Sequence, residues 1–406
     1  MADLLPLLRT KVPGPRSRAL ARQLRRYESR NVTYISDRWP IFWKRATGAN
    51  VWDADGNRYI DLSAGFGVAN VGHTNPRVVA AIQRQARQLL HAMGDVHPNE
   101  LKVRLARQLV GLTFSRWSKT PARVLFTNTG AEAVEAAIKT ATIHTRRSRI
   151  IAFTGAYHGL TYGALDATWR RDFRWPFARQ LGHFVDHFPF GQAPAIRHPG
   201  RYAAVLVEPI QGRGGIVVPP DEFLPALRTF CDRHGLLLIF DEVYTGFCRA
   251  GRWFACEHWN VVPDIICVGK AMAGGFPISA CVARAAVMDS WPTSKGEAIH
   301  TSTFLGNPLG CAAALAAIAE MKRLTLAQRA DKLGNYLQSH LPVRGRGLML
   351  GLEVGNAPRL CEQLLQRGIL ALPEGSHSEV LGLTPPLTIT QRQLDHSVKV
   401  LAHLLR

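Results

Sequence analysis

The chain has 406 residues, a hydrophobic content of 47% and a formal net charge of +20 at pH 7. This length predicts two domains or one large α/β domain with a smaller lobe, and no apolar run approaches the roughly 18 to 20 residues that span a bilayer. The charge favours a basic solvated surface over a nucleic-acid function, because the arginines are dispersed and no nucleic-acid motif accompanies them; an acidic carrier protein that brings the substrate is an alternative.

Residues 1 to 60 begin with scattered arginines and end in a hairpin signal. In residues 1 to 33, apolar residues recur at helical spacing among the arginines, which predicts an amphipathic helix with a basic outer face. The apolar run before Lys11 is too short for a signal peptide, so we expect a cytoplasmic protein. Asp55-Gly56-Asn57, between alternating apolar residues, predicts a tight hairpin turn.

Histidines and cysteines give no metal site in this sequence. Residues 76 to 112 predict two helices around a linker, and His91 and His97 near that linker have no carboxylate or cysteine to complete a ligand set. The seven cysteines are scattered and lack CxxC spacing, so the sequence supports neither a disulfide framework nor a zinc site. We therefore predict no metal.

An anion-binding turn is predicted where a strand over 124 to 126 runs into Thr129, Gly130 and Ala131. A helix is predicted to start at Glu132. The backbone N–H groups at a helix N-terminus attract an anion, and small side chains let the anion approach them. A phosphate group is the expected ligand.

Two further apolar runs predict buried strands that end in chemically useful side chains. LLLIFDEV delivers Asp241, and DIICVG ends in Lys270. Ligands of open α/β sheets lie at the carboxyl ends of the strands, and a desolvated lysine has a lowered pKa and a nucleophilic amine. A lysine that forms a Schiff base, paired with an aspartate that keeps a pyridinium nitrogen protonated, is the usual protein contribution to pyridoxal 5′-phosphate (PLP) chemistry.

The runs VEPIQG, FDEVYTGF, VGKAMAGGFP and TSTFLGNPLG, in that order, resemble the class III aminotransferases, which are fold-type I PLP enzymes. The resemblance extends from about Trp43 to near the C-terminus. It implies an α/β fold, with a mostly parallel sheet flanked by helices in a large domain and a smaller α+β lobe built from both termini. We expect an N-terminal segment over 1–60, the large PLP-binding domain over 61–310 and the small domain over 311–406.

The resemblance also implies roles for individual residues. Lys270 and Asp241 are the expected catalytic residues. The expected cofactor-binding residues are Thr129, Gly130 and Ala131 at the phosphate, Tyr157 and Val243 on the two ring faces, His158 beside Tyr157, and Glu208 organising hydrogen bonds with Gln211 nearby. Ser302 and Thr303 are expected to reach the partner's phosphate across a homodimer with shared active sites, and Phe66 to shape the substrate pocket.

Three departures from the family pattern concern the substrate. Relatives that act on glutamate or ω-amino acids carry arginines where this chain has Leu160 and Gly382, and a glutamate where it has Arg213. Arg213 either clamps a carboxylate or phosphate from the opposite wall, or points to solvent and leaves an apolar pocket for an amine without an α-carboxylate. A fourth change, Tyr244 for a glutamine that hydrogen-bonds the cofactor ring, leaves that contact open.

The implied reaction is a ping-pong transamination, in which an amine or amino acid gives its amino group to an oxo acid. A PLP-dependent racemase or epimerase is an alternative, because it uses the same lysine to return a proton to the substrate carbon. A non-catalytic basic binding protein is a second alternative, against which Lys270, Asp241 and the phosphate turn all argue.

Overall fold

A seven-stranded sheet lies at the centre of the chain, whose computed structural model describes residues 3–405. In chain order, the strands are β1 (Trp43–Thr47), β2 (Asn50–Asp53), β3 (Arg58–Asp61), β4 (Ala122–Thr127), β5 (Arg149–Phe153), β6 (Val185–Phe188), β7 (Tyr202–Val207), β8 (Leu237–Asp241), β9 (Ile265–Val268), β10 (Ser279–Arg284), β11 (Val343–Arg346), β12 (Met349–Glu353), β13 (Ile369–Leu370), β14 (Leu372–Glu374) and β15 (Val380–Leu383).

Helices connect these strands and cover the central sheet. They are α1 (Pro15–Tyr27), α2 (Ala64–Gly67), α3 (Pro76–Ala86), α4 (Glu100–Leu112), α5 (Phe114–Trp117), α6 (Gly130–Thr145), α7 (Tyr162–Ala167), α8 (Arg171–Arg174), α9 (Phe223–His234), α10 (Ala285–Met288), α11 (Pro308–Arg323), α12 (Leu326–His340), α13 (Ala357–Leu365) and α14 (Gln391–Leu404). Among them, α2 is a single turn in which Gly65 and Phe66 have left-handed backbones, with φ of 56° and 64°.

The central sheet has the strand order β4-β10-β9-β8-β7-β5-β6. The pairs from β9 to β6 are parallel, and β10 is antiparallel to both β4 and β9. Because β10 is antiparallel to both of its neighbours, β4 and β9 run in the same direction. The carboxyl ends of all strands except β10 therefore meet at one edge of the sheet. The predicted mostly parallel α/β sheet is confirmed.

Apolar side chains bury both faces of this sheet. Ile239 of β8 packs in one core with α6, whereas its neighbours Leu238 and Phe240 pack in the other core with α9. Side chains alternate between the faces of a strand, so a strand covered on both sides needs a continuous apolar run. This explains why the runs around Asp241 and Lys270 were recognisable as strands.

Two smaller sheets draw on both ends of the chain. One has the order β1-β2-β3-β13, and its parallel pairing of β3 with β13 joins residues 58–61 to residues 369–370. The other is antiparallel, with the order β11-β12-β15-β14. The domain limits at 60 and 310 stay predictions. Within residues 3–405, no helix is long and apolar enough to cross a membrane.

Several local predictions are confirmed and others need correction. The hairpin forms as β2 and β3, with Val51 opposite Tyr59 and a left-handed Gly56 at φ 86° in the turn. The helix after β4 begins at Gly130, two residues before the predicted start. The N-terminal helix is shorter than 1 to 33 and spans Pro15–Tyr27, while residues 1 and 2 lie outside the described part.

Candidate active site

Strands β4, β5, β7, β8 and β9 end around one cavity of about 500 Å³. Its lining comes from the turns after these strands, so the sheet edge brings together residues that are far apart in sequence. Ten of the predicted site residues line it: Thr129, Gly130, Ala131, Tyr157, His158, Glu208, Arg213, Asp241, Val243 and Lys270.

Lys270 occupies the turn immediately after β9. Its backbone is left-handed, with φ of 40°, a conformation that residues other than glycine seldom adopt. Its surface faces the cavity, and its Nζ lies 3.7 Å from the centre of the Tyr244 ring. Burial lowers the pKa of the Lys270 amine from 10.5 to about 8, although Asp241, Glu374 and Glu208 partly oppose that shift. The unprotonated, nucleophilic form of this amine is therefore reached at a much lower pH than for a solvated lysine.

Asp241 and His158 form a buried pair at the base of the cavity. Asp241 Oδ2 lies 2.8 Å from His158 Nδ1, and Asp241 Oδ1 accepts a hydrogen bond from the Val243 N–H at 3.1 Å. The backbone N–H of His158 donates to Thr168 Oγ1 at 2.9 Å, which holds His158 in place. These contacts fix the carboxylate at the end of β8, where it can accept a hydrogen bond from a cationic ring nitrogen.

Glu208 joins two loops that line the cavity. Its Oε2 accepts from the Tyr157 N–H and its Oε1 from the Gly212 N–H, each at 3.0 Å. Burial raises the pKa of the Glu208 carboxyl to about 7, while His158 lowers it and Asp241 raises it further. Glu208 thereby fixes the backbone of Tyr157. Gln211 does not line the cavity, and its side-chain amide donates to the Thr154 carbonyl.

The N-terminus of α6 forms another wall. Thr129 caps this 16-residue helix, and its side chain accepts from the Glu132 N–H at 3.3 Å. The N–H groups of Gly130 and Ala131 belong to the first turn, where helix geometry offers no intrahelical acceptor. A Cβ on Gly130 would lie only 2.7 Å from Val243 Cγ1, so a glycine is needed for the close approach of α6 to the end of β8.

Tyr244 fills the space between Lys270 and two glycines. A Cβ at Gly67 would lie 2.3 Å from Tyr244 Cε2, and one at Gly212 would lie 2.4 Å from Tyr244 Cδ1. The Tyr244 hydroxyl pairs with Thr384 Oγ1 at 3.2 Å. The sequence marked this residue as a departure from the family, but its packing against Lys270 emerges only from the three-dimensional contacts.

Three of the predicted site residues lie outside this cavity. Ser302 Oγ accepts a hydrogen bond from Asn128 Nδ2 of the same chain at 3.2 Å, beside the α6 N-terminus, and Thr303 is exposed. Exchange of these residues between protomers stays a prediction. Phe66 is exposed and lines a neighbouring cavity of about 440 Å³.

Arg213 and Glu374 stand where the two cavities meet. Arg213 lines both cavities, and Glu374 lines the outer one. Arg213 Nε lies 3.5 Å from Glu374 Oε2, and Arg213 Cζ lies 5.5 Å from the centre of the Tyr157 ring. Arg213 therefore faces the site rather than only solvent. The sequence analysis missed Glu374, because a glutamate in the short run LPE carries no local signal of a ligand-facing position.

The comparisons with known proteins agree on one family. The family model described as aminotransferase class III matches residues 33–405. The chain is 41% identical over 380 residues to the acetylornithine aminotransferase of Methanopyrus kandleri, covering 91% of this chain and 95% of that protein. It is 40% identical over 408 residues to the putrescine aminotransferase of Pectobacterium atrosepticum, covering 93% and 85% respectively.

Solved structures give the same result. The ornithine aminotransferase of Toxoplasma gondii, in a crystal structure with partial occupancy of PLP at its active site, matches with a TM-score of 0.86. The two sequences are 32% identical, and the match covers 96% of this chain and 94% of that one.

Proposed function

Since this chain belongs to the class III aminotransferases and is a PLP-dependent transaminase, we propose that the cavity at the strand ends is its active site. Lys270 and Asp241 are the proposed catalytic residues. One observation carries the proposal: the Lys270 amine, the Asp241 carboxylate and the N-terminus of α6 all face the same cavity. An amine nucleophile, an acceptor for a ring nitrogen and an anion site are the three features that PLP requires of its protein.

The residues present fit PLP. The first turn of α6 suits the phosphate, and the Asp241 carboxylate, fixed by His158, suits a protonated ring nitrogen. The His158 Nε2 atom is buried and has no hydrogen-bond partner within residues 3–405, so the hydrogen-bonding capacity of this nitrogen is not used by the described residues. We propose that Thr129, Gly130 and Ala131 hold the phosphate, that Tyr157 and Val243 flank the ring, and that His158 and Glu208 position these groups.

Bound PLP would accept the electron pair that the substrate carbon releases when it loses a proton. Lys270 would take that proton from the donor carbon and pass it to the cofactor, and in the second half of the cycle it would carry a proton back to the carbon of the oxo acid, which its lowered pKa favours at neutral pH. The Asp241 carboxylate would keep the ring nitrogen protonated throughout. The donor leaves as an aldehyde or ketone, and the oxo acid leaves as an amino acid that carries the transferred nitrogen.

We propose that Arg213 binds the carboxylate of the oxo-acid acceptor. Its guanidinium faces both cavities, whereas Leu160 and Gly382 offer no cation at the other positions that the sequence analysis compared. A guanidinium binds a carboxylate through two parallel hydrogen bonds, which makes it suited to this role. The names of the relatives suggest two kinds of donor, an N-acetylated amino acid and a diamine.

The assembly and location of the enzyme are also part of the proposal. We infer a homodimer in which Ser302 and Thr303 contribute to the partner's site, and membership of the family supports this inference. A cytoplasmic location is supported by seven cysteines that are all free and buried. An acidic carrier protein remains a proposed partner for the +20 surface.

A half-reaction experiment tests this function. The PLP-loaded protein is mixed with a panel of amines and amino acids without an acceptor, and the absorbance of the bound cofactor is followed. We expect a true donor to change the spectrum once, and pyruvate or 2-oxoglutarate to restore it. Lys270→Ala should lower the rate by about 10²–10⁴-fold or more, since it removes the proton-transferring group.

Lys322→Ala, which changes an exposed lysine on α11, is the matched control and should behave as the wild type. A donor that loses optical purity while the spectrum returns without any oxo acid would contradict transamination and indicate a racemase. Failure of every donor to change the spectrum would contradict the assigned site.

A further inference from the structure

Glu374 is an acidic group in the wall of the outer cavity. Its side chain is only 3% exposed, and its Oε2 makes no hydrogen bond within residues 3–405. Buried carboxylate oxygens are normally satisfied by donors, because an unsatisfied one costs free energy. The cavity therefore contains a buried acceptor with spare hydrogen-bonding capacity.

The backbone explains why a glutamate fits at this position. In the pairing of β14 with β15, Leu372 lies opposite Gly382, and the Glu374 side chain folds over that glycine. A Cβ at position 382 would lie 3.0 Å from Glu374 Cγ. A side chain at position 382 and the Glu374 side chain would thus compete for one space, and the absence of a side chain at Gly382 leaves that space to the Glu374 carboxyl group.

Arg213 is an incomplete counter-ion for Glu374. The Gly375 N–H donates to the Arg213 carbonyl at 3.1 Å, which ties the two backbones together. The side chains, however, approach only through Nε at 3.5 Å, without a hydrogen bond, and the Arg213 side chain is 30% exposed. A partly solvated guanidinium at this distance leaves room for a second cation to bind the carboxylate.

The walls of the outer cavity suit an aliphatic chain. Phe66, Trp39 and Leu372 supply apolar surface, and the cavity shares Arg213 with the one that holds Lys270. A substrate that reaches from Lys270 past Arg213 would place methylene groups against these side chains and its far end at Glu374.

We propose that Glu374 selects the amino donor by binding a second positive charge on it. The donor is an aliphatic diamine or a related primary amine with a distal cation, which presents one nitrogen at Lys270 and the other cation to Glu374. This inference rests on the proposed function, because it assumes that the amine reacts in the cavity of Lys270. A donor that carries a distal carboxylate in place of the cation is repelled.

Three donors of one chain length test the proposal: 1,4-diaminobutane, 1-aminobutane and 4-aminobutanoate, which end in an ammonium, a methyl and a carboxylate group. The rate of the acceptor-free absorbance change is measured against donor concentration for PLP-loaded protein, and the melting temperature is measured with each donor. We expect the diamine to be favoured by about tenfold or more in the ratio of rate to apparent dissociation constant, and to raise the melting temperature most.

Glu374→Gln keeps the shape of the side chain and removes its charge. It should weaken the apparent affinity for 1,4-diaminobutane by about tenfold and change 1-aminobutane by less than about twofold. Glu379→Gln is the matched control on the same hairpin, where the carboxylate accepts from the His377 N–H at 2.8 Å, and it should leave all three donors unchanged.

An equal loss for all three donors in Glu374→Gln would overturn the proposal and make Glu374 a structural residue. If that variant does not fold, the wild-type comparison decides alone, and a diamine no better than 1-aminobutane overturns the proposal. If 1-aminobutane or 4-aminobutanoate reacts as well as the diamine, the proposal about Glu374 is rejected, but the assignment of the transaminase active site is still supported. Failure of every donor, including the wider panel, rejects the proposed site itself.

Discussion

Lys270 combines a left-handed backbone, at φ 40°, with an amine whose pKa burial lowers to about 8. Such a backbone costs free energy of order 1–3 kcal/mol and persists where the surrounding structure holds it in place. Here Gly269 packs against Ser279, since a Cβ on that glycine would lie 2.4 Å from Ser279 Oγ. The strain sets the direction of the lysine side chain, which then lies over Tyr244.

The lowered pKa of Lys270 predicts how the cofactor-free protein responds to pH. Below about pH 8 the amine is protonated in both the folded and the unfolded states, so the cost of burying its charge is fully present. Between about 8 and 10.5 the unfolded chain binds more protons than the folded one, and the free energy of unfolding rises with pH. Across that range Lys270 alone should contribute up to about 3 kcal/mol.

Urea denaturation at pH 7.5 and pH 10.5 measures this effect, with Lys270→Met as the comparison. The advantage of Lys270→Met in the denaturation midpoint should be largest at pH 7.5 and should shrink at pH 10.5. A difference between the two proteins that does not change with pH would contradict the lowered pKa.

Individual site residues differ in how visible they are in the sequence. Asp241 and Lys270 could be predicted because each ends a continuous apolar run, and such runs become strands buried on both faces. Glu374 could not be predicted, because its position depends on the short strand β14 and on the pairing of that strand with β15, which places Glu374 opposite Val380 and beside Gly382. No turn motif in the sequence marks this pairing. The pairing of β14 with β15 thus determines that the Glu374 carboxyl group lies in the wall of the outer cavity.

At the level of elements, the close packing of Tyr244 depends on Gly67 and Gly212 on its two sides. Gly212 does not have a positive φ, so an alanine there is limited by space rather than by backbone conformation. We expect Gly212→Ala to lower the free energy of unfolding by about 1–3 kcal/mol, because its Cβ would overlap the Tyr244 ring. In a Tyr244→Ala background, the same change should cost much less.

Denaturation midpoints of the four proteins in this double-mutant cycle measure the coupling. Gly111→Ala in α4 is the control, since nothing lies within 4 Å of its added Cβ, and it should be neutral or stabilising by about 0.5–1 kcal/mol. An equal cost of Gly212→Ala in both backgrounds would show that Tyr244 is not the group it displaces.

Secondary structure was predictable for buried elements and less so at edges. β8 and β9 match their predicted runs, whereas the sequence analysis predicted no strand at the position of β6. β6 is the edge strand beside β5, and it carries Asp186 and His187 among its four residues. An edge strand needs less apolar character than a central one, so its pattern resembles a loop.

At the scale of the whole molecule, Arg249 connects the central sheet region to the C-terminal part. The side chain is fully buried, and its Nη1 donates to the Leu348 carbonyl at 2.9 Å and to the Pro385 carbonyl at 2.7 Å. Its Nη2 donates to Asn70 Oδ1, which lies in the loop after α2. These bonds hold together the segments that carry Tyr244, Thr384 and Gly67, and no local pattern in the sequence reveals them.

Covalent trapping of the cofactor tests most directly whether Lys270 holds PLP. The PLP-loaded protein is treated with borohydride, which fixes the cofactor to the amine that holds it, and the digested protein is mapped by mass spectrometry. The chain has ten lysines, and we predict one label, on Lys270, that is absent from a folded Lys270→Ala variant. A label on another lysine, or PLP that stays removable after reduction, would contradict the assignment of the active site.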